Sequence, residues 1–556
     1  MATVDWESLI QAKLDDRAGR IRPAWRLEKR ITDQAYPNST ASAFELLAQT
    51  DILTKKERDI TEKFSATTLI SMLANKTISS VEVTTAFCKR AAIAQQLTNC
   101  LTEIFFEKAL LRAKLCDDFL AREGKPMGPF HGLPISIKVG QLTLKSLNKS
   151  HHPGPIVRAD EAATLGFVSY LTKPAATSNS VIVDILLDAG AVLYCKTNVP
   201  QTLFVCEGMN DVFGYTLNPH KLCLTPSGSS SGEGALVGFR GSILGVGTDI
   251  GGSIRAPSLC CGTFGFKPTA NRLPYGGQQE LIRKGWPGIV PALGPHAHSP
   301  QDLTLFVRSI IEAEPWRRDE SALFAPWREI PEKQTLKIGL WAGDAEFPLH
   351  PPMQRALNSA AAALEAAGHQ VKRVPTPVPL RRAAEIFVLS SRLDTKKSIF
   401  QFLADGNEAP IPALVEISQA INVEKKESSA EDIWEFNSQR SDFRSIWHRT
   451  WMENDIDVLL CPPSRTTAVP HGKYGVPWYT MIWNLLDCPA AVIPFLHADK
   501  TLDTQEMDGF DVDIVHSAPC SVQVVGWTGQ DEEVLNAMEM IAKALENGSL
   551  SPGSRL

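Results

Sequence analysis

Two glycine-rich loops that carry serines lie close together in this chain. They cover residues 225–232 and 247–255, and a helix-compatible stretch at 233–239 separates them. Glycine lets a backbone turn so that several N–H groups point at one spot, which is how an oxyanion is held. Upstream, an apolar run at 133–137 leads into Lys138, and a buried neutral lysine can serve a serine as base. Together these residues predict acyl transfer through a serine ester.

Short apolar runs with strand character alternate with helix-length patterns along the rest of the chain. Such alternation favours an α/β fold in which helices cover both faces of a largely parallel sheet. The helical patterns are clearest at 354–367 and 532–545. The predicted strands are 135–138, 191–196, 243–247, 336–341, 368–374, 458–461, 490–494 and 520–526.

Residues 245–257, Gly-Val-Gly-Thr-Asp-Ile-Gly-Gly-Ser-Ile-Arg-Ala-Pro, and residues 262–269, Gly-Thr-Phe-Gly-Phe-Lys-Pro-Thr, resemble the signature of the amidase signature hydrolases. The chain is most similar to the fungal acetamidase-like and fatty-acid-amide-hydrolase-like branch. The resemblance also takes in the stretches 81–90, 194–201 and 483–492. It implies one α/β/α domain around a large, mixed, twisted sheet. We expect this domain at 61–545, after an N-terminal helical arm at 1–60 and before a flexible tail at 546–556.

The resemblance assigns the catalytic roles. Ser253 would be the nucleophile, and Lys138 the base. Ser229, which lies 24 residues before Ser253, would pass the proton between them from a loop with an unusual cis peptide bond. The mechanism so implied is amide hydrolysis through an acyl-enzyme, without a metal or cofactor.

Other residues are expected to support this triad. The backbone amides of Ile250, Gly251, Gly252 and Ser253 are the natural oxyanion donors, because paired glycines permit a tight turn. Further candidates follow in two groups. Ser230, Asp249 and Arg255 would hold the loops together, and Leu203, Phe204, Met209 and Trp483 are possible substrate-pocket residues, although each is equally plausible as core. In such enzymes the variable part, here 375–454, shapes the substrate funnel.

Two alternatives stay open. Residues 228–232 also fit the Gly-x-Ser-x-Gly elbow of α/β-hydrolases, which would make the protein an esterase with Ser230 as nucleophile. That elbow should follow a buried strand, and 218–226 is a poor strand. The second alternative is a catalytically impaired homologue with a binding role. The stretch 139–160 departs from the family directly after Lys138, through real divergence or a misplaced exon boundary.

Composition excludes several other classes of function. Of the 556 residues 44% are hydrophobic and 21% charged, and the net charge is −6, which is ordinary for a globular protein. No cluster of basic and aromatic residues indicates a nucleic-acid surface, and no apolar run approaches the roughly 18 residues of a membrane span. The family resemblance implies a small-molecule amide as the partner and suggests a homodimer.

The cysteines, histidines and termini predict an intracellular protein without a metal site. Eleven scattered cysteines indicate reduced, buried thiols. Histidines occur in pairs at 151–152 and at 296 and 298, but neither pair has a third metal ligand nearby at a fitting spacing. The first residues lack the features of a secretion signal. The final Ser554-Arg-Leu556 is close to a peroxisomal address, so the expected location is cytoplasmic or peroxisomal.

Overall fold

An eleven-stranded mixed sheet is the main element of the fold in this computed structural model. The structure describes residues 4–138, 164–174, 178–279, 281, 285–331, 333–394, 398–420 and 429–549. In the sheet the strands lie in the order β1-β3-β2-β6-β8-β7-β12-β13-β11-β9-β10, and β4 pairs with β5 in a separate ribbon. The strands are β1 (Leu101–Ile104), β2 (Pro134–Lys138), β3 (Val192–Thr197), β4 (Met209–Asn210), β5 (Gly214–Tyr215), β6 (Leu244–Asp249), β7 (Phe264–Lys267), β8 (Ala292–Ala297), β9 (Lys337–Leu340), β10 (Gln370–Arg373), β11 (Val458–Cys461), β12 (Ala490–His497) and β13 (Pro519–Val525).

The α/β class with a large mixed sheet is confirmed, and each of the eight predicted strands coincides with an observed one. The expectation of a largely parallel sheet is wrong. Six pairs of neighbouring strands in the large sheet are antiparallel and four are parallel. The strands of the large sheet that the pattern did not predict, β1, β7 and β8, all pair antiparallel. Pro295 lies within β8, and proline is rare inside a strand because it has no N–H to donate.

Two groups of helices pack on this sheet. Helices α9 and α10 contact each other, and α9 contacts β2, β3 and β6. Helix α19 contacts both α11 and α12, and these three helices reach β8, β12 and β13. The α-helices are α1 (Trp6–Gly19), α2 (Lys29–Thr32), α3 (Ala43–Leu47), α4 (Lys55–Lys63), α5 (Ala66–Ala74), α6 (Ser80–Thr98), α7 (Phe106–Glu123), α8 (Val181–Asp188), α9 (Ser231–Gly238), α10 (Arg255–Cys261), α11 (Pro300–Glu312), α12 (Pro351–Ala366), α13 (Leu380–Arg392), α14 (Ser398–Asp405), α15 (Pro412–Ala420), α16 (Ala430–Asn454), α17 (Trp478–Leu485), α18 (Val512–Val515) and α19 (Asp531–Ser549).

The N-terminal residues fold against the body of the protein. Apolar side chains such as Ile21 and Trp25 share one buried cluster with residues of α6 and α7, and α4 runs across the predicted boundary at residue 60. The division of the chain into three segments stays a prediction. Among the helices of the described residues, none is long and apolar enough to cross a membrane.

The register of two strands places the candidate catalytic loops together. Strands β2 and β6 are parallel neighbours, with Ser136 opposite Gly245 and Ile137 opposite Val246. Their carboxyl ends therefore lie at the same edge of the sheet. Lys138 is the last residue of β2, and the loop that contains Ser253 follows β6.

Candidate active site

Lys138 lies fully buried at the end of β2. Its Nζ is 2.9 Å from Oγ of Ser229 and 3.0 Å from Oγ1 of Thr248. Burial lowers the pKa of Lys138 to about 7, although the charges of Asp249 and Glu233 act in the opposite direction. A large fraction of this amine is thus neutral near pH 7, as a general base requires.

Ser229 lies in a loop that leads into α9. The peptide bond between Gly228 and Ser229 is cis, as the family resemblance implied. A Cβ at position 228 would clash with the carbonyl oxygen of Glu207, so only glycine fits there. Ser229 is 3% exposed, and its hydroxyl faces the amine of Lys138 rather than water.

Ser253 lies in the loop between β6 and α10. It is 9% exposed, and its carbonyl oxygen accepts the N–H of Ser230 at 3.2 Å. That bond joins the two serine loops directly. Gly252 has a φ of +133°, and a Cβ there would clash with Oγ1 of Thr480. The turn before Ser253 therefore requires glycine.

The geometry narrows the set of predicted oxyanion donors from four to three. The N–H of Gly252 donates to Oδ1 of Asp249 at 2.7 Å, so it is already satisfied. Within the described residues, the N–H groups of Ile250, Gly251 and Ser253 have no hydrogen-bond acceptor. These three amides remain to bind an oxyanion.

Asp249 and Arg255 form a buried ion pair beneath this loop. Both side chains are 0% exposed, and Nη2 of Arg255 lies 2.9 Å from Oδ1 of Asp249. The carboxylate also accepts the N–H of Ile254 at 3.1 Å. Burial alone would raise the pKa of Asp249, but the charge and hydrogen bonds of Arg255 hold that pKa well below its usual range. The pair and its backbone contacts hold the loop in place.

Replacing Asp249 by Asn is expected to lower the free energy of unfolding by about 3–5 kcal/mol, because it leaves the buried guanidinium of Arg255 without a counter-charge. Calorimetric and urea midpoints measure this change. The control is Arg122→Gln, since Arg122 pairs with Glu123 on the surface with 53% and 41% of the two side chains exposed, and such pairs contribute about 0–1 kcal/mol. Equal midpoints for the two variants would contradict a structural role for the pair.

Three residues that the sequence analysis missed complete the site. Thr248 contacts the amine of Lys138, and Thr480 donates its hydroxyl to the carbonyl of Gly251 at 2.8 Å. Glu233 is fully buried and accepts hydroxyl hydrogen bonds from Ser136 at 2.6 Å and Thr197 at 2.8 Å. Burial raises the pKa of Glu233 to about 7, although those hydrogen bonds and Lys138 lower it. Thr248 lies in the motif 245–257 and Glu233 in the stretch 233–239, so both could have been singled out, but Thr480 lies outside these segments.

The candidate pocket residues divide into two groups. Leu203, Phe204 and Met209 belong to one apolar cluster, in which residues of α14 and α15 also pack. Trp483 is fully buried instead, with its ring 5.9 Å from that of Trp341 and 5.3 Å from that of Trp447. It packs as a core residue, and its place in the substrate pocket stays a prediction.

Phe387 of α13 borders the loop that carries Ser253. A Cβ at Gly251 would lie 3.5 Å from Cζ of Phe387 and would meet no other side chain within that distance. Phe387 falls inside the variable part, 375–454, that was expected to shape the substrate funnel. No local sequence pattern indicates Phe387, because its proximity to the loop of Ser253 depends on the fold.

The structure argues against a nucleophile elbow at Ser230. Residues 218–226 form no strand, and Leu224 makes only an isolated bridge with Pro470. The Ser230 hydroxyl is fully buried and points to the carbonyl of Thr248 at 3.4 Å. An elbow needs a strand before it and an exposed hydroxyl, and neither condition is met.

Two sets of predicted features remain, the candidate metal-binding histidines and the segments that the structure does not describe. His296 is buried and His298 is half-buried. Nδ1 of His296 contacts Oγ of Ser258 at 3.0 Å, and Nε2 of His298 contacts the carbonyl of Val237 at 2.5 Å. Mainly through burial, the pKa of each histidine falls to about 3. The atypical stretch 139–160, which includes the histidine pair 151–152, and the terminal tripeptide 554–556 lie outside the described residues.

Comparison with known proteins gives consistent matches over nearly the whole chain. The family model described as Amidase matches residues 82–150 and 155–535. An amidase from Gibberella moniliformis is 49% identical over 98% of this chain and 100% of its own length. An acetamidase from Emericella nidulans is 35% identical over 98% of each chain. Among solved structures, a fatty acid amide hydrolase superposes with a TM-score of 0.88 at 31% identity, covering 97% of this chain and 95% of that one.

Proposed function

This chain belongs to the amidase signature family of amide-hydrolysing enzymes, and from that premise we propose that Lys138, Ser229 and Ser253 carry the reaction. In this proposal the enzyme cleaves a carboxamide to a carboxylic acid and ammonia or an amine, through an acyl-enzyme on Ser253. One observation carries the proposal. The Nζ of a fully buried lysine lies 2.9 Å from Oγ of Ser229, beside the loop that holds Ser253.

The first step is attack by Ser253. The neutral amine of Lys138 takes the proton of the Ser229 hydroxyl while Ser229 takes the proton of Ser253, so that Oγ of Ser253 forms a bond to the amide carbon. A relay through a hydroxyl suits this site, because Lys138 already contacts Ser229. The lowered pKa of Lys138 makes the free amine available at neutral pH.

The carbonyl oxygen becomes an oxyanion as this bond forms. The N–H groups of Ile250, Gly251 and Ser253 stabilise it, because none of them donates to another group of the described residues. Their positions are fixed in advance by Asp249 and Thr480. Donors that need no rearrangement lower the barrier more than mobile ones.

The relay then runs in reverse. Protonated Lys138 returns its proton through Ser229 to the nitrogen of the tetrahedral intermediate, and the C–N bond breaks with release of ammonia or amine. This protonation is essential, since an amide anion is a poor leaving group. Water attacks the acyl ester with Lys138 again acting as base, and the acid leaves with Ser253 regenerated.

The acyl group is proposed to be apolar. Leu203, Phe204 and Met209 form part of an apolar cluster, and Phe387 borders the loop of Ser253. The names of two similar proteins, a fatty acid amide hydrolase and an acetamidase, indicate a long and a short acyl chain. We take these as the upper and lower limits of acyl-chain length for the substrate. Arylacyl and medium-chain amides lie between them.

Release of ammonia or amine from a panel of amides tests the proposal. The panel holds acetamide, benzamide, hexanamide, oleamide and their anilides, incubated with the full chain. We expect turnover of at least one amide, and faster turnover of apolar acyl groups than of succinamate, whose charge the apolar side chains would desolvate. A folded protein that releases nothing from any of these amides would favour the binding-only alternative.

A further inference from the structure

A pocket that the proposed catalytic groups do not use opens beside the C-terminal end of α9. It has a volume of about 370 Å³, which is in the range of small-molecule sites. One wall is apolar and consists of Phe44, Leu47 and Ala48. The other wall consists of charged side chains from α4, α6 and the turn after α9.

Positive charge dominates the charged wall. Three arginines, Arg58, Arg90 and Arg240, line the pocket together with a single carboxylate, Glu62. Glu62 forms its ion pair with Nη1 of Arg90, and the charges of Arg58 and Arg240 act on Arg90 as well. The pocket therefore has two more positive than negative side chains. Like charges gathered in one concave site repel one another, unless an anion lies between them.

Arg240 has the most hydrogen-bonding capacity to spare. Its guanidinium donates no hydrogen bond to any residue that the structure describes, whereas Arg58 donates to the carbonyl of Thr50 at 2.8 Å and Arg90 to that of Phe239 at 2.9 Å. Burial lowers the pKa of Arg240, and only the charge of Glu62 opposes this. A half-buried guanidinium with free N–H groups is suited to bind an oxyanion in bidentate geometry.

The backbone holds Arg240 rigidly at this place. Its φ is +60°, its N–H donates to the carbonyl of Val237 at 2.7 Å, and the next residue, Gly241, donates to the carbonyl of Leu236 at 2.8 Å. A rigid backbone reduces the entropy that a bound ligand must offset.

We propose that this pocket binds an organic anion with a phosphate or other dianionic head and a compact apolar body. The head would lie between Arg58 and Arg240, where it matches the two unbalanced positive charges. The body would pack against Phe44 and Leu47, where a free inorganic ion would leave the apolar wall uncovered.

This site is separate from the catalytic one. Helix α9 begins at Ser231, two residues after Ser229, and ends at Gly238, just before Arg240. Eight residues of α-helix span about 12 Å, so the pocket lies at the other end of α9 from the proposed relay serine. An anion bound there would not occupy the place of the amide.

Calorimetric titration of the full chain with phenyl phosphate tests this proposal. We expect saturable binding to wild type. Binding to Arg240→Gln should be at least about tenfold weaker, because a charge-assisted bidentate contact is lost. The control is Arg122→Gln, which removes an arginine from the last turn of another helix, α7, and should leave the affinity within about twofold. Circular dichroism establishes that both variants are folded.

Related ligands separate the contributions of the two walls. Phenyl phosphate should bind more tightly than benzoate, which carries one charge, and more tightly than inorganic phosphate, which has no apolar body. Equal affinity of wild type and Arg240→Gln, or no binding to wild type, would overturn the proposal. Inorganic phosphate that binds as tightly as phenyl phosphate would overturn it as well, because the apolar wall would then contribute nothing.

Discussion

Replacement of Ser253 by Ala is expected to reduce kcat for the best amide substrate by about 10⁴-fold or more, because an enzyme without its nucleophile retains only binding and oxyanion stabilisation. The protein should stay folded, since within the described residues Ser253 bonds to its neighbours through backbone groups rather than through its hydroxyl. Steady-state kinetics on the most active amide of the panel measures the change.

The variant Ser230→Ala distinguishes the two serine hypotheses. The hydroxyl of Ser230 is fully buried and has a weak contact with a carbonyl, so its removal should lower kcat by no more than about tenfold, as expected for one lost hydrogen bond. If Ser230→Ala were inactive while Ser253→Ala kept its turnover, Ser230 would be the nucleophile.

Replacement of Lys138 by Met is expected to lower kcat by about 10³-fold, within the range for loss of a general base. Wild-type kcat/KM should rise with pH through the pKa of Lys138, about 7, because only the free amine accepts a proton. The residual activity of the variant should lack that step. The measurement is the pH profile of kcat/KM between pH 5 and 9 for both proteins.

The same lysine predicts a pH-dependent stability. The folded protein holds Lys138 with a pKa of about 7 against the usual lysine value of 10.5, so the unfolded chain binds more protons between those values. The free energy of unfolding should therefore rise with pH across that window, and this contribution should be absent from Lys138→Met.

The matched control for Lys138→Met is Lys89→Met. Lys89 is largely buried but pairs with Glu57 at 2.7 Å, away from the serine loops. Lys89→Met should keep both the wild-type kcat and the wild-type pH profile. A Lys138→Met variant with the same profile as wild type would show that another group is the base.

The sequence identified the candidate catalytic residues more completely than the residues that contact and support them. Ser253, Asp249 and Arg255 lie in one contiguous motif, and such motifs are readable because local backbone geometry dictates their residues. Thr480 supports the same loop from α17, more than two hundred residues later. Only the fold brings these two segments together, so no local pattern could indicate the contact.

The strands show a similar limit. Apolar runs located β2, β3 and β6, because buried strands need continuous hydrophobic residues. The direction in which neighbouring strands run is set by the connections between them. Strands β7 and β8, which made the sheet more antiparallel than expected, contain residues that are unfavourable in strands. Gly265 lies within β7, which has only four residues, and Gly294 and Pro295 lie within β8.

Trp483 shows why a pocket residue is harder to identify than a core residue. It lies in a stretch that resembles the family, one residue before Asn484, which does contact Asp249 at 3.0 Å. On helix α17 adjacent side chains point about 100° apart, so one faces the catalytic loop while the other packs among tryptophans. Their positions in the sequence alone did not indicate which of these two side chains faces the loop of Ser253.

The central claim is that Ser253 becomes acylated with Lys138 as base, and mass spectrometry after reaction with a fluorophosphonate probe tests it most directly. Trypsin separates the two serine loops, because cleavage after Lys221, Arg240 and Arg255 leaves Ser229 and Ser230 on one peptide and Ser253 on the next. We predict one adduct on peptide 241–255, at Ser253, its loss in Ser253→Ala, and slow labelling of Lys138→Met. An adduct on peptide 222–240, or no adduct on a protein that hydrolyses amides, would contradict the claim.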